Sequence, residues 1–233
     1  NFKGCLFLYF CTLQRFAFFK PESIMVSEKT SKGWIDSKAI YNDGFMIYSI
    51  KEIEKVLYMT CYNKKNNSEC NFLKSLDGNT WSDVFPNKQI HKYLTCETDF
   101  ILKDNNYYFV SRNEFGKFKT YGSEIFKFNK SGKLLKHIHS DIKFDGPFLF
   151  EKNNKIFLVA RRNVVNKGKL LLPVIAIPYL RLWISNLHYW LTPKKTAVWK
   201  IDGESLKSTH ILDLPSNGDT SYAYVQQSKN KTK

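Results

Sequence analysis

The sequence has little of what would mark a metalloprotein, a disulfide scaffold or a membrane-spanning chain. Its five cysteines, Cys5, Cys11, Cys61, Cys70 and Cys96, include no C-x-x-C pair and no histidines at metal-ligand spacing. Neither a structural zinc site nor a disulfide framework is indicated, and reduced, partly buried thiols are expected. Uninterrupted apolar runs of about 18 residues, the length a spanning helix needs, are also missing. The longest candidate, "LLLPVIAIPYLRLWISNLHYW", is broken by Pro173, Pro178 and Arg181. That leaves contact with a membrane surface through 170–191 as the only membrane role it could carry. "GCLFLYFCTLQRFAFF" is broken by Gln14 and Arg15 and lacks a small-residue cleavage pattern. It reads as a buried strand rather than a signal peptide, and a chain opening on such a strand without Met is expected to start inside a domain.

Negative charge is scarce too: 36 Lys and Arg face 21 Asp and Glu, a formal charge of +15. Such a charge would favour an anionic partner such as nucleic acid, an acidic glycan or a membrane surface, and its bland reading is a lysine-rich solvated surface. The excess is scattered as lysine beside asparagine ("NKKNN", "KNNK", "SKNKTK"). No basic helix or nucleic-acid motif appears, so nucleic acid is not an expected partner.

What is present is a strand pattern. With 43% hydrophobic and 16% aromatic residues the chain can bury a core. β-Branched and aromatic runs of four to eight residues recur between Gly, Asn, Asp and Lys turns, and helical periodicity is confined to 170–191. From Glu97 the runs are "ETDFILK", "YYFVSRN", "SEIFKFN" and "LLKHIHS"; from Asp145 they are "DGPFLFE", "KIFLVARRN", "TAVWKID" and "STHILDL". An earlier quartet, "FMIYSIK", "KVLYMTCYN", "CNFLKS" and "TWSDVF", begins at Phe45, and "GDTSYAYVQQ" would open a later one at Asp219. The starts are about 50 residues apart, and the last falls into step once 165–193 are set aside as an insertion. A four-stranded repeat of this length predicts a β-propeller, with blades over 45–86, 97–140 and 145–213 and partial blades before and after. A sandwich or barrel is the alternative. Residues 1–233 are read as one propeller domain or a fragment of one, with 164–195 an apolar insertion in a blade that covers the site or a partner.

In that frame "SLDGNTW" (Ser75–Trp81) falls between the third and fourth strands of a blade. Gly78 supplies the positive φ of a tight turn, Ser75 and Asp77 bond local amides, and Trp81 fills the space between blades. Degenerate copies occupy the same slot at "SEKTSKGW" and "NKSGKL".

Antiparallel geometry then gathers the chemistry. The start of strand one and the end of strand two share one edge of a blade. Glu97, Thr98, Asp99, Asp145 and Asp219 to Tyr222 sit at strand-one starts; Arg112, Asn113, Glu114, Arg161 and Arg162 sit at strand-two ends. All are expected on one rim. Guanidiniums that fork onto a carboxylate, and carboxylates that accept from hydroxyls, suit a sugar. The bland readings are a rim salt bridge for Arg112 with Glu114, a turn at Asp145-Gly146-Pro147, packing for Tyr222, and a solvated outer face for His137 and His139.

"SLDGNTW" resembles the Asp-box of sialidases and their relatives, whose pattern is Ser/Thr-x-Asp-x-Gly-x-Thr-Trp, repeated at equivalent turns of a six-bladed propeller. The order "ETDFILKDNNYYFVSRNE", "DGPFLFEKNNKIFLVARRN", "TAVWKIDGESL" and "LDLPSNGDTSYAYV" is similar to a run in bacterial sialidase-like proteins, over roughly 34–225. The resemblance implies an all-β, six-bladed sialidase-type propeller, incomplete in this chain, and no metal or organic cofactor. It implies an arginine cluster for the acid sugar's carboxylate, containing Arg112 and one of Arg161 or Arg162. It also implies Tyr222 as nucleophile, Glu114 or Glu97 as its partner, and Asp36 in "GWIDSK" as the acid. The chain departs from the family in lacking an Arg-Ile-Pro tripeptide, in showing no evident third member of the arginine cluster after Arg162, and in having fewer than six blades. A sialidase-like glycoside hydrolase acting on a terminal acidic sugar is therefore the first reading, and a non-catalytic glycan- or protein-binding propeller the alternative.

Overall fold

The computed structural model describes residues 2–14, 21–41, 44–63, 69–93, 95–113, 120–165, 177–216 and 223. They form four antiparallel sheets. Three follow one plan: β5 (Phe45–Ile53), β6 (Val56–Asn63), β7 (Glu69–Ser75) and β8 (Ser82–Asp83) make the second sheet. The third contains β9 (Thr98–Lys103), β10 (Asn106–Arg112), β11 (Ser123–Asn129) and β12 (Leu134–Ser140). In the fourth are β13 (Asp145–Lys152), β14 (Lys155–Asn163), β15 (Lys194–Ile201) and β16 (Ser208–Asp213). In each, strands pair in the order in which the chain makes them. A short 3-10 helix, Pro86–Lys92, links the second sheet to the third.

The first hairpin of each of these sheets turns at the same kind of dipeptide. Glu54-Lys55, Asp104-Asn105 and Asn153-Asn154 all have both residues at positive φ, between 49° and 63°. Two consecutive left-handed residues make the type I′ turn, whose twist matches the strands it joins. Its tightness returns strand two alongside strand one, so Thr98 lies across from Ser111 and Asp145 from Arg161.

The first sheet differs. β1 (Leu6–Leu13) runs along one edge of β2 (Pro21–Thr30), and both β3 (Gly33–Trp34) and β4 (Lys38–Tyr41) pair with β2. A strand has only two edges, so β3 and β4 are one outer strand interrupted at 35–37. This sheet is three strands wide and matches strands two, three and four of the others. The expected buried strand in the first apolar stretch is corrected here: Leu6, Leu8 and Leu13 of β1 are 44%, 48% and 48% exposed. β1 has a partner on one edge only among the described residues, and apolar composition alone does not bury an edge strand.

Three apolar layers fill the spaces between successive sheets. Ile24, Phe45, Met59, Cys61 and Leu73 pack between the first and second, with Tyr9 and Trp81 alongside. Phe72, Phe85, Phe100, Tyr107, Phe109, Phe126 and Phe128 pack between the second and third. Tyr108, Val110, Ile125, Phe144, Leu149, Leu158 and Trp199 do so between the third and fourth. Period-two alternation explains the division: Phe109 faces one neighbour while Tyr108 and Val110, on the opposite face of β10, meet the other.

The Ser75–Trp81 turn has the expected local chemistry. Ser75 Oγ accepts from the Gly78 amide at 2.8 Å, and Asp77 Oδ1 accepts from the Asn79 and Thr80 amides at 2.8 and 2.7 Å. Gly78 has φ +80°. Trp81 meets Tyr9 of β1 edge-on, with ring centroids 5.9 Å apart. The turn thus clasps the first sheet to the second.

Between β14 and β15 the chain makes α1 (Pro178–Leu191), with Pro178 at the first helical position. Proline there costs no hydrogen bond and presets φ. Lys194 and Lys195, expected within the insertion, belong to β15. At 14 residues α1 is too short to cross a bilayer, and no described helix is long and apolar enough to do so.

Candidate functional site

The shared edge of β9–β10 and β13–β14 carries a buried charge network. Asp145, at the start of β13, is its centre. Arg112, the last residue of β10, places Nη1 on Asp145 Oδ1 and 2.9 Å from Glu97 Oε2. Arg161, opposite Asp145 in register on β14, donates from Nε and Nη2 to Asp145 Oδ2, the former at 2.9 Å. Tyr189 of α1 donates to the same oxygen at 2.7 Å. Glu97 also accepts from the Gly146 amide at 3.2 Å, at the register shift near the start of β13.

A cleft of about 330 Å³ opens on this network, lined by Arg112, Lys143, Asp145, Arg161, Tyr189, Trp190 and Lys194. Four cations and one carboxylate give it a strong positive bias. Lys143, 1% exposed, donates to Asn186 Oδ1 at 2.6 Å and lies 5.0 Å from the Tyr189 ring centroid. Lys194 Nζ sits 5.1 Å from the same ring. Tyr189 is thereby held between two cations, an arrangement that ring quadrupoles favour.

Protonation follows from these surroundings. Burial would raise the Asp145 carboxyl, but Arg112 and Arg161 outweigh it and hold Asp145 well below the usual carboxylate range. Burial raises Glu97, with Arg112 opposing and the Asp145 charge adding, so Glu97 keeps its proton to higher pH than an ordinary glutamate. Burial and the Asp145 charge push the Tyr189 hydroxyl well up, so it is a hydrogen-bond donor here and not a phenolate.

The candidates from the sequence separate into groups. Glu97, Arg112, Asp145 and Arg161 come together. Arg162, the next residue along β14, points to the opposite face and forks onto Asp213 of β16, with bonds of 2.9 and 2.6 Å. Asp99 is buried between sheets, where Oδ2 takes Lys51 Nζ and the Leu149 amide, each at 2.5 Å; it does not line the cleft. Asp36 requires a correction. The Gly44 amide donates to Glu22 O, so the rim-side start of β5 adjoins the start of β2, whereas Asp36 follows β3 at the far end of β2. It is exposed there, away from the cleft. Glu114, Asp219 and Tyr222 lie outside the described residues.

Sequence reasoning missed Lys143, Tyr189, Trp190 and Lys194. Lys143 was within reach, being two residues before Asp145 at a strand-one start. The others come from the excursion, whose return onto the rim has no local signal. His137 and His139 lie exposed on the outer strand β12, as expected, but their partner was not foreseen. Both face Glu124, which is 1% exposed: His137 Nε2 lies 2.6 Å from Oε2 and His139 Nδ1 2.8 Å from Oε1. Asn113 donates to Oε1 at 2.6 Å and so connects this cluster to the residue after Arg112. No group of three His, Cys, Asp or Glu able to hold a metal ion occurs among the described residues.

Sheets arranged in this way, with charged residues at one rim, define a propeller of the kind found in glycoside hydrolases of families 32 and 43. The solved structures it resembles include a family 32 β-fructofuranosidase of Bombyx mori, at 12% identity and TM-score 0.51 over 90% of this chain and 46% of that one. An arabinanase of Bacillus subtilis matches at 13% identity and TM-score 0.52, over 94% and 79%. A xylan β-1,4-xylosidase of Bacillus halodurans matches at 10% and 0.50, over 92% and 41%. The chain therefore spans less than half of the fructofuranosidase and the xylosidase. These neighbours are five-bladed propellers; at such identities the likeness concerns the fold. No family model matches the chain, and no curated protein matches it in sequence.

Proposed function

We propose that this chain is a glycan-acting propeller of the glycoside-hydrolase kind whose cleft receives an acidic sugar, with hydrolysis of its glycosidic bond as the reaction. The observation that carries this reading is the crowding of Arg112, Lys143, Arg161 and Lys194 around the single carboxylate of Asp145 in one cleft. An incoming carboxylate takes up the donors of Arg112 and Arg161 that Asp145 now holds, and Trp190 offers a ring face to the sugar. Glu97, protonated to higher pH than usual, is a group from which a leaving oxygen can be protonated. Under the resemblance to sialidases, Tyr222 with Glu114 supplies the nucleophile, and Asp219 is a substrate-binding candidate. The six-bladed sialidase architecture belongs to the same finer reading.

A second reading, recognition without turnover, is favoured by one specific feature. Glu97 and Asp145 share Arg112 Nη1, so they lie side by side, and of the two Asp145 lines the cleft. A hydrolase that works through a pair of carboxyl groups holds them about 5–9.5 Å apart, flanking the bond to be cleaved, a spacing that a tyrosine nucleophile does not require.

A panel of aryl glycosides that includes a sialoside and a uronide separates the two. Turnover of an acidic member, lost in Tyr222→Phe and in Arg161→Ala, supports hydrolysis. Binding without turnover, weakened by Arg161→Ala and unchanged by Tyr222→Phe, supports recognition. Preference for neutral over acidic glycosides would refute both.

A further inference from the structure

One face of α1 is occupied by large apolar and aromatic side chains, of which Trp190 also borders the cleft. Tyr179, Leu180, Trp183, Leu187, Trp190 and Leu191 are between 41% and 77% exposed. At 3.6 residues per turn they fall within an arc of about 120°. The buried residues Leu182, Ser185, Asn186 and Tyr189 occupy the neighbouring arc, which faces the sheets. The remaining flank carries Arg181 and His188 beside Ile184, and Lys194 and Lys195 open the strand that follows. No Asp or Glu occurs between Pro178 and Leu191. Exposing two tryptophans, a tyrosine and three leucines on one short helix has a cost in water that a packed partner would relieve.

We propose that α1 is an interfacial docking helix, which lays this face into the surface of an anionic lipid bilayer. Three properties select that occupant. Tryptophan and tyrosine prefer the boundary between headgroups and acyl chains, where the ring is buried and the polar edge stays wet. Arg181 on that flank and the chain's formal charge of +15 complement anionic headgroups, each basic group near the surface contributing about 1 kcal/mol. A second copy of the chain is disfavoured, because two chains each with a formal charge of +15 repel. The helix spans about 21 Å, enough to lie in the interface and too little to cross it. Since Tyr189 and Trp190 reach the cleft from the same helix, docking would hold the mouth of the cleft at headgroup level.

The test is sedimentation of the full chain with phosphatidylcholine vesicles that contain or lack phosphatidylglycerol. The expected result is cosedimentation with the anionic vesicles, accompanied by a blue shift of tryptophan emission. Trp183→Ser with Leu187→Ser should lower the bound fraction about tenfold while the circular dichroism stays that of the parent. Arg181→Gln should weaken binding less, by about fivefold, in a salt-dependent way. Absence of binding to anionic vesicles overturns the proposal, as does binding that Trp183→Ser with Leu187→Ser leaves intact. Sedimentation velocity showing a dimer that the same pair of changes dissolves would assign the face to self-association instead and would equally overturn it.

Discussion

Tyr189 donates its hydroxyl to Asp145 across 2.7 Å, and with the bond from Lys143 to Asn186 this contact joins α1 to the strand edge where the cleft begins. The acceptor is a charged carboxylate already bound by two guanidiniums. Tyr189→Phe removes the donor without changing the ring, and a hydrogen bond to a charged group contributes about 1.5–3 kcal/mol. The urea midpoint should fall accordingly. Amide exchange should accelerate in α1 before it does in β13 or β14; equal acceleration in helix and sheet would show that the contact does not anchor the helix.

Asp145 itself carries more. Asp145→Asn leaves Arg112 and Arg161 buried beside Glu97 with much of their compensating charge removed, and breaking a buried ion pair on one side costs about 3–5 kcal/mol. Because the folded-state pKa of Asp145 is depressed, its contribution is fully present above the ordinary aspartate value and is lost as pH falls. Acid titration of stability should therefore be shallower in Asp145→Asn than in the parent. Parallel titration curves would remove Asp145 from the acid-sensitive set.

Much of this architecture could be read from sequence because strands announce themselves locally. The alternation of Tyr108 and Val110 with Phe109 marks a strand with two buried faces, and the Asp104-Asn105 and Asn153-Asn154 turns fix register at short range. Where the reading stopped, the determinant was long-range. Arg161 and Arg162 are adjacent in "VARRN", and only the pairing of Asp145 with Arg161 across the hairpin decides which faces the cleft. His137 and His139 share a face by alternation, but the carboxylate they meet is set by the register of β12 on β11, which places Glu124 opposite His139. Tyr189 and Trp190 arrive by a helix whose docking no local pattern encodes. β1 shows the converse: its apolar residues were plain, but their burial depended on a neighbour that composition does not reveal.

The Glu124 cluster gives a pH window. Burial would raise Glu124, but hydrogen bonds from His137, His139 and Asn113 bring it down to about 2. The hydrogen bond to Glu124 raises His139 above 6.5. The depressed carboxylate contributes fully above its ordinary value of 4.5 and loses that contribution as pH falls toward 2. The elevated imidazole contributes fully below 6.5 and loses that contribution as pH rises through its folded value. Both are complete between those limits, so the stabilisation from this cluster should be greatest near pH 5 to 6. Glu124→Gln should flatten the profile on both flanks, measured as urea midpoint against pH. A parent profile without an alkaline decline that Glu124→Gln abolishes would contradict the assignment for His139.

Gly78 tests the clasp between the first two sheets. Its φ of +80° disfavours any side chain, and a Cβ would meet Phe7 Cε2 and Cζ at 2.9 Å and Tyr9 Oη at 3.1 Å. Tyr9 in turn donates to Gly78 O at 2.8 Å. Gly78→Ala should destabilise by about 1–3 kcal/mol through strain and overpacking together. The loss should appear first as faster amide exchange in β1, since the second sheet retains its aromatic layer. Retention of the parent midpoint would mean that β1 shifts freely and that the turn does not hold it.

The two neighbouring arginines of β14 allow the site to be tested against its own scaffold. Arg161 faces the cleft and Arg162 the outer strand, although both are largely buried and both bind an aspartate. For an anionic sugar, a charge-assisted fork onto Arg161 is worth about 1.5–3 kcal/mol, so Arg161→Ala should weaken binding by about tenfold or more. Arg162→Ala removes a partly exposed pair with Asp213, worth about 1 kcal/mol of stability, and touches no cleft residue. Affinity should therefore follow Arg161, while the thermal midpoint responds to Arg162 without loss of affinity. Calorimetric titration of both variants with the acidic glycoside decides the matter. Equal loss of affinity in the two would show that the strand as a whole, and not the face that Arg161 presents, determines binding.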